Sequence, residues 1–299
     1  MKFFMLAAAL LTFSFLMLNL SASPAGGQGD LTFSLVGRRS ITGSLSLMDT
    51  VYAQIPSPPK NPQALTIPQS LYNQAHFFSE KNDLLKAKEY YEKILTDYPD
   101  FEGAQPAREE LYALNLKIIG SDIPTPQILI HKVRRGESLE KIARKYKTTV
   151  DLIKKRNHLE SDLIRAGQEL SVWRGTFNIV IDKSENILML ESDARVLKVY
   201  PVSTGKEETT TPVGEFTIKD RMIDPVWFHR GIVVPPGTPK NFLGTRWLGF
   251  NIPKYGIHGT VEPDLIGKSV SGGCVRMRNR DVEELYTLIP EGTKVLIQE

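Results

Sequence analysis

Two side chains in the stretch from Tyr255 to Asn279 are capable of joint chemistry: Cys274, the only cysteine of the chain, and His258, one of five histidines. A thiol becomes a strong nucleophile when it loses its proton, and a neighbouring imidazole or a set of backbone N–H groups promotes that loss. Cys274 ends the run Ser271-Gly272-Gly273-Cys274. Glycines in such a turn let backbone amides converge on charge that develops beside the sulfur. A lone cysteine is also a common small buried hydrophobe, so residue types alone leave a packing role open beside nucleophilic catalysis.

The neighbouring blocks sharpen the choice. His258-Gly259-Thr260 precedes Ser271-Gly272-Gly273-Cys274-Val275-Arg276-Met277, and upstream stand Thr211-Pro212-Val213-Gly214-Glu215-Phe216, V-V-P-P-G-T-P-K-N-F-L-G and W-L-G-F. In this order they resemble the L,D-transpeptidase catalytic domain family, from Gly175 to Glu299. The family usually carries a histidine before the last Gly-Cys; Gly272 stands there instead.

The resemblance implies a role for each residue. Cys274 is the expected nucleophile and His258 the general acid/base. The Gly259 carbonyl orients His258, and the N–H groups of Gly273 and Cys274 receive the oxyanion. Arg276, Ser271 and Tyr255 are candidate substrate contacts, each with a plainer alternative: an ion pair, the shape of the turn, and packing. His229 is a stand-in candidate for the absent second histidine. The implied reaction passes an acyl group from a peptidoglycan stem peptide through a thioester to an amine. The same thioester handed to water gives a carboxypeptidase or amidase, and a degenerate site leaves a non-catalytic wall-binding scaffold. No cofactor is expected, and no metal, because the histidines lack ligand spacing and one cysteine cannot build a thiolate cluster.

The elements that must position these residues read as strands. Runs at 177–181, 187–190, 196–202, 215–218, 248–250 and 294–297 are short, β-rich and separated by polar turns. Asn279 is placed to cap a helix over 280–288 with Val282, Leu285 and Leu288 inward. These runs give a mostly-β domain over 175–299 with a few helices, and the family resemblance implies that it is a sandwich-like catalytic domain.

Two smaller modules precede it. Residues 129–174 resemble a lysin motif (LysM) of βααβ order, with Ser138 and Thr149 at helix starts and Val133 in the first strand. That resemblance implies binding to N-acetylglucosamine-containing glycan strands. Lys and Arg outnumber Asp and Glu twelve to six between His131 and Arg174, although the whole chain carries only +3. Residues 67–120 have helical period, and Ala75, Phe78, Ala87, Tyr91 and Pro99 resemble one tetratricopeptide unit, with Leu111, Leu114 and Ile118 on a third helix over its open side. An ordinary α-helical hairpin is the alternative, and a protein partner for this unit stays open.

Residues 1–23 read as a signal peptide or an uncleaved membrane anchor, an apolar run after Lys2 that ends in Ser21-Ala22-Ser23. Residues 24–66 read as a Pro- and Ser-containing linker. Together they point to the periplasm or cell envelope, and they argue against nucleic acid as the partner of the basic module.

Overall fold

A computed structural model describes residues 66–229 and 231–299. The signal or anchor segment, and all of the linker but Thr66, lie outside the described residues. Among the described residues no helix is long and apolar enough to cross a membrane.

The N-terminal helical region has three helices: α1 (Ile67–Glu80), α2 (Leu84–Asp97) and α3 (Ala104–Gly120). Thr66 and Asp83 start the first two by accepting the N–H groups of Gln69 and Lys86. Leu71, Ala75, Leu84, Ala87, Tyr91 and Ile94 are buried between α1 and α2, as their spacing requires, and Leu114 and Ile118 of α3 close the cluster.

The LysM module follows as β1 (Ile128–Lys132), α4 (Leu139–Tyr146), α5 (Val150–Arg156) and β2 (Glu169–Trp173). Its strands pair antiparallel, Ile128 opposite Trp173 and Lys132 opposite Glu169. Val133 sits one residue beyond the strand rather than inside it, although its N–H still bonds the Gln168 carbonyl at 2.8 Å. Ser138 and Thr149 cap their helices through the N–H groups of Lys141 and Leu152.

The third region contains β3 (Phe177–Asp182), β4 (Ile187–Ser192), β5 (Arg195–Pro201), β6 (Thr204–Gly205), β7 (Gly214–Ile223), β8 (Trp227–His229), β9 (Ile232–Val234), β10 (Arg246–Phe250), β11 (Gly256–His258), β12 (Ser269–Ser271), β13 (Val275–Arg276), helix α6 (Asn279–Leu288) and β14 (Lys294–Gln298). One eight-stranded sheet runs in the order β13-β11-β10-β7-β14-β3-β4-β5. Leu197 and Tyr200 of β5, at one edge, share a single core with Val275 and Met277 beside the other edge. The sheet must curl to bring its edges together, so the sandwich-like layering comes from one sheet folded over itself. Val282, Leu285 and Leu288 of α6 fill that core.

The three regions are not separate beads. Leu116 and Ile119 of α3, Leu152 of α5 and Trp173 of β2 belong to the same buried cluster as the curled sheet. Asn115 donates to the Leu197 carbonyl at 3.0 Å. Arg156, only 1% exposed, gives its guanidinium to the carbonyls of Ile118, Ile119 and Ile123 and to Ser171 Oγ. Its forked donors satisfy the end of α3 while reaching the LysM strand.

Candidate active site

Strand alternation decides which residues meet. β11 and β13 run parallel, Ile257 opposite Val275 and His258 opposite Arg276. Ile257 and Val275 point into the core, both fully buried. Their neighbours His258 and Arg276, a cross-strand pair, therefore point to the opposite face, and alternation puts Cys274, one residue before β13, on that same face, diagonal to His258.

The imidazole is tightly held. It is 4% exposed and stacks on the Trp247 indole, its cross-strand partner on β10, with centroids 5.9 Å apart. Trp247 is fixed in turn by Nε1 donating to Asp220 Oδ1 at 2.8 Å. A Cβ at Gly256 would lie 2.9 Å from the indole, so glycine there makes room for the ring. His258 Nδ1 lies 2.6 Å from the Gly259 carbonyl. A carbonyl only accepts, so Nδ1 carries the hydrogen and Nε2 has the lone pair. Burial and the Arg276 charge lower the imidazole pKa, while backbone bonds to Gly259 and Leu243 oppose them, and the outcome is about 4.

The thiol is partly buried, and its hydrogen bond goes to the Lys254 carbonyl at 3.2 Å, not to the imidazole. Burial pushes its pKa above the ordinary thiol value; a Gly256 backbone bond and the Arg276 charge pull the other way without reversing it. At neutral pH the pair rests as a thiol and a neutral imidazole. The resting sulfur is therefore not ionised by the imidazole, contrary to the simplest reading of the motif.

The turn before Cys274 shows what Ser271 and Gly273 bond to. Ser271 is 1% exposed; its hydroxyl donates to the Cys274 carbonyl at 2.6 Å and accepts the Gly273 N–H at 3.1 Å. Both of its polar functions close the turn, the plainer of the two roles expected of it, and the N–H that Gly273 was expected to offer an oxyanion is directed to Ser271. Gly273 is instead required by shape: its φ is +111°, and a Cβ would lie 2.8 Å from the Tyr255 ring. Tyr255 is thereby placed as a wall beside the cysteine turn, half-buried against the core. Thr209 Oγ1 donates to the Ser271 carbonyl at 2.9 Å and braces the turn from outside.

Arg276 finds the partner that sequence could not name. Its Nη1 lies 3.2 Å from Glu262 Oε2, an ion pair at a side chain 16% exposed. The guanidinium is thus held beside both candidate catalytic groups, and its charge acts on both. Gly272 has no heavy atom within 4 Å of a would-be Cβ, so the histidine position of the usual motif is open space.

The segment 227–243 holds a short hairpin of β8 and β9 standing on Asn241. Asn241 is 2% exposed and donates to the carbonyls of Pro225, Val234 and Pro235. Phe228, Ile232 and Val233 are exposed on the hairpin. His229 forms its end, opposite Ile232; its side chain lies outside the described residues. Below the hairpin a cleft of about 680 Å³ is lined by Asp224, Thr238, Gly244, Thr260, Arg278 and Asn279, among others.

Trp247, Asp220 and Asn279 were not singled out as site residues from sequence. Asn279 does not cap α6 as its position suggested. Arg278 occupies the cap without a side-chain bond, and the Asn279 amide turns back to accept the N–H groups of Thr260 at 3.0 Å and Thr245 at 3.4 Å.

Comparison with known proteins matches this architecture. Residues 176–297 match the family model described as the L,D-transpeptidase catalytic domain, and residues 131–173 match the LysM domain. The chain is 38% identical over 177 residues to "Putative L,D-transpeptidase YkuD" of Bacillus licheniformis, covering 57% of this chain and 99% of that protein. The Bacillus subtilis protein of the same name is 36% identical over the same shares. "Probable L,D-transpeptidase YcfS" of Escherichia coli is 29% identical, covering 54% of this chain and 59% of that one. Among solved structures, an L,D-transpeptidase from Mycobacterium smegmatis aligns with a TM-score of 0.37 at 22% identity, over 44% of this chain and 64% of its own. With nearly the whole of a relative matched at this identity, the chain belongs to the YkuD-type L,D-transpeptidase family and carries a LysM domain ahead of the catalytic one.

Proposed function

We propose that this L,D-transpeptidase uses Cys274 as its nucleophile and His258 as its general base, through a thioester acyl-enzyme. The observation that carries the reading is the shared face of the two residues across the parallel β11–β13 pair, with the imidazole fixed as the Nδ1–H tautomer. On substrate binding the thiol leaves the Lys254 carbonyl and hands its proton to Nε2 as sulfur attacks. Apo geometry at such sites is commonly loose and tightens in the complex. The attacked carbonyl joins a diamino acid to the terminal D-alanine of a peptidoglycan stem peptide. The C–N bond breaks, the imidazolium proton goes to the departing D-alanine amine, and a thioester remains. An amine from a second stem peptide or an envelope protein then attacks, His258 takes its proton, and the C–S bond breaks to restore the thiol. With the Gly273 N–H committed to Ser271, the Cys274 N–H is the remaining candidate oxyanion donor of the turn. Arg276 tunes both pKa values from its ion pair, and Tyr255 lines the approach.

The LysM module is assigned to N-acetylglucosamine-containing glycan strands, and the protein to the cell envelope, where both substrates lie. A protein partner for the helical region is a narrower prospect than the sequence suggested, because one face of α3 is buried in the catalytic core.

The test is incubation of the protein and its Cys274→Ala variant with tetrapeptide muropeptides, read by mass spectrometry. Thiol-dependent dimers are expected. Monomers shortened by one D-alanine would mean that water is the acceptor, and unchanged profiles from both proteins would leave only a scaffold. For the glycan assignment, Leu163, 85% exposed on the loop between α5 and β2, is the place to intervene. Leu163→Asp should weaken sacculus pull-down while leaving thiol acylation intact. Deleting the module is uninformative, since Leu152 and Trp173 would be torn from the catalytic core.

A further inference from the structure

The Gly259–Thr260 peptide is bonded at both ends. Its carbonyl accepts from His258 Nδ1 at 2.6 Å, and its N–H donates to Asn279 Oδ1 at 3.0 Å. A peptide unit is planar, with C=O and N–H pointing in opposite directions, so a bond at one end fixes the direction of the other. An acceptor on the N–H also polarises the unit and makes its carbonyl a better partner for the imidazole N–H. We infer that Asn279 is a positioning residue for the catalytic imidazole, acting through this peptide to hold His258 as the Nδ1–H tautomer with Nε2 ready to receive a proton. The inference rests on His258 being the base proposed above.

Three further observations converge on the amide. Its Oδ1 also faces the Thr245 N–H at 3.4 Å, which ties down the turn leading to Trp247, the ring under the imidazole. A Cβ at Gly259 would lie 2.1 Å from Asn279 Oδ1, and one at Gly244 would lie 2.3 Å from it. Glycine at both positions is what lets the amide reach the backbone. Finally, Asn279 gives up the cap of its own helix to make these bonds. One short segment, Cys274 to Asn279, thus bears the nucleophile, the Arg276 cation and the group that aligns the base. Arg276, on β13, is the charged side chain whose field acts on the ring, and it is untouched in the variants below.

Two substitutions separate positioning from simple support. Asn279→Asp keeps the shape and the acceptor and adds negative charge; Asn279→Leu keeps approximate shape and removes the acceptor. The measurements are His258 side-chain nitrogen shifts against pH, the burst of p-nitrophenol from p-nitrophenyl acetate against pH, and melting temperature. Asn279→Leu should populate the Nε2–H tautomer and slow the thiol-dependent burst by about 10²-fold, the size of effect a small misplacement of a catalytic group produces. Asn279→Asp should keep the Nδ1–H tautomer, restore the burst to within about tenfold of wild type, and move the His258 midpoint and the acid limb to higher pH. If both variants keep the wild-type tautomer and acid limb and change only the melting temperature, Asn279 is structural and the inference is overturned. Should Asn279→Leu fail to fold, an unmoved His258 midpoint in Asn279→Asp overturns it alone. The nitrogen shifts report on the folded protein whether or not it cross-links, so this outcome stays distinct from a failure of the muropeptide assay.

Discussion

Burial sets the neutral preference of both candidate catalytic groups, and Arg276 lies beside them as a cation whose charge lowers both pKa values. Removing it as Arg276→Met should raise the thiol pKa and the His258 pKa together, moving both limbs of the acylation profile to higher pH. Alkylation of Cys274 by iodoacetamide against pH and His258 titration by NMR check this. The buried imidazole also links stability to pH. Its folded pKa of about 4 lies below the ordinary 6.5, so the unfolded chain binds the proton more readily between those values. Stability should be intact above pH 6.5, fall as pH drops toward 4, and then stop falling on this account, a loss of about 3 kcal/mol. Urea midpoints between pH 7 and 4 measure it, and His258→Gln should flatten that slope. Glu137 and Asp182, whose pKa values are lowered by hydrogen bonds, add losses of the same sign in the carboxylate range.

At the scale of the element, the turn before the cysteine distinguishes two adjacent glycines. Gly273 holds φ +111° against the Tyr255 ring, whereas Gly272 faces open space. Gly273→Ala should destabilise by about 1–3 kcal/mol through backbone strain and displacement of Tyr255, and Gly272→Ala should stay within about 0.5 kcal/mol. Thermal unfolding of the two variants decides it. The contrast also marks where sequence is legible. Cys274, His258 and the glycine turn lie close along the chain, so local chemistry suffices to nominate them, while the family resemblance supplies the roles proposed for them. Ser138 and Thr149 are legible for the same reason, since a cap bonds its own helix. Asn279 obeys the local cap rule in sequence and breaks it in space, because its acceptors belong to loops that only the tertiary fold brings near. Trp247 and Asp220 escape for a similar reason: their roles depend on the register among β7, β10 and β11, which no single strand discloses.

For the whole molecule, helical periodicity announces that α3 buries a face but not what lies against it. Leu114 and Ile118 turn to the helical cluster, while Leu116 and Ile119 turn to the curled sheet. The described residues should accordingly unfold in one cooperative transition by calorimetry, and Leu116→Ala should lower it as a unit, by about 2–5 kcal/mol. Separate transitions for the LysM and catalytic regions would contradict a shared core. Arg156, sealed between α3 and the LysM strand, has a further consequence. A wall-binding module on a flexible tether would sweep the thiol across many neighbouring peptides. Clamped as it is, the module works like a fixed caliper, so that, on the function proposed above, a glycan strand gripped by it meets Cys274 at one distance and one azimuth.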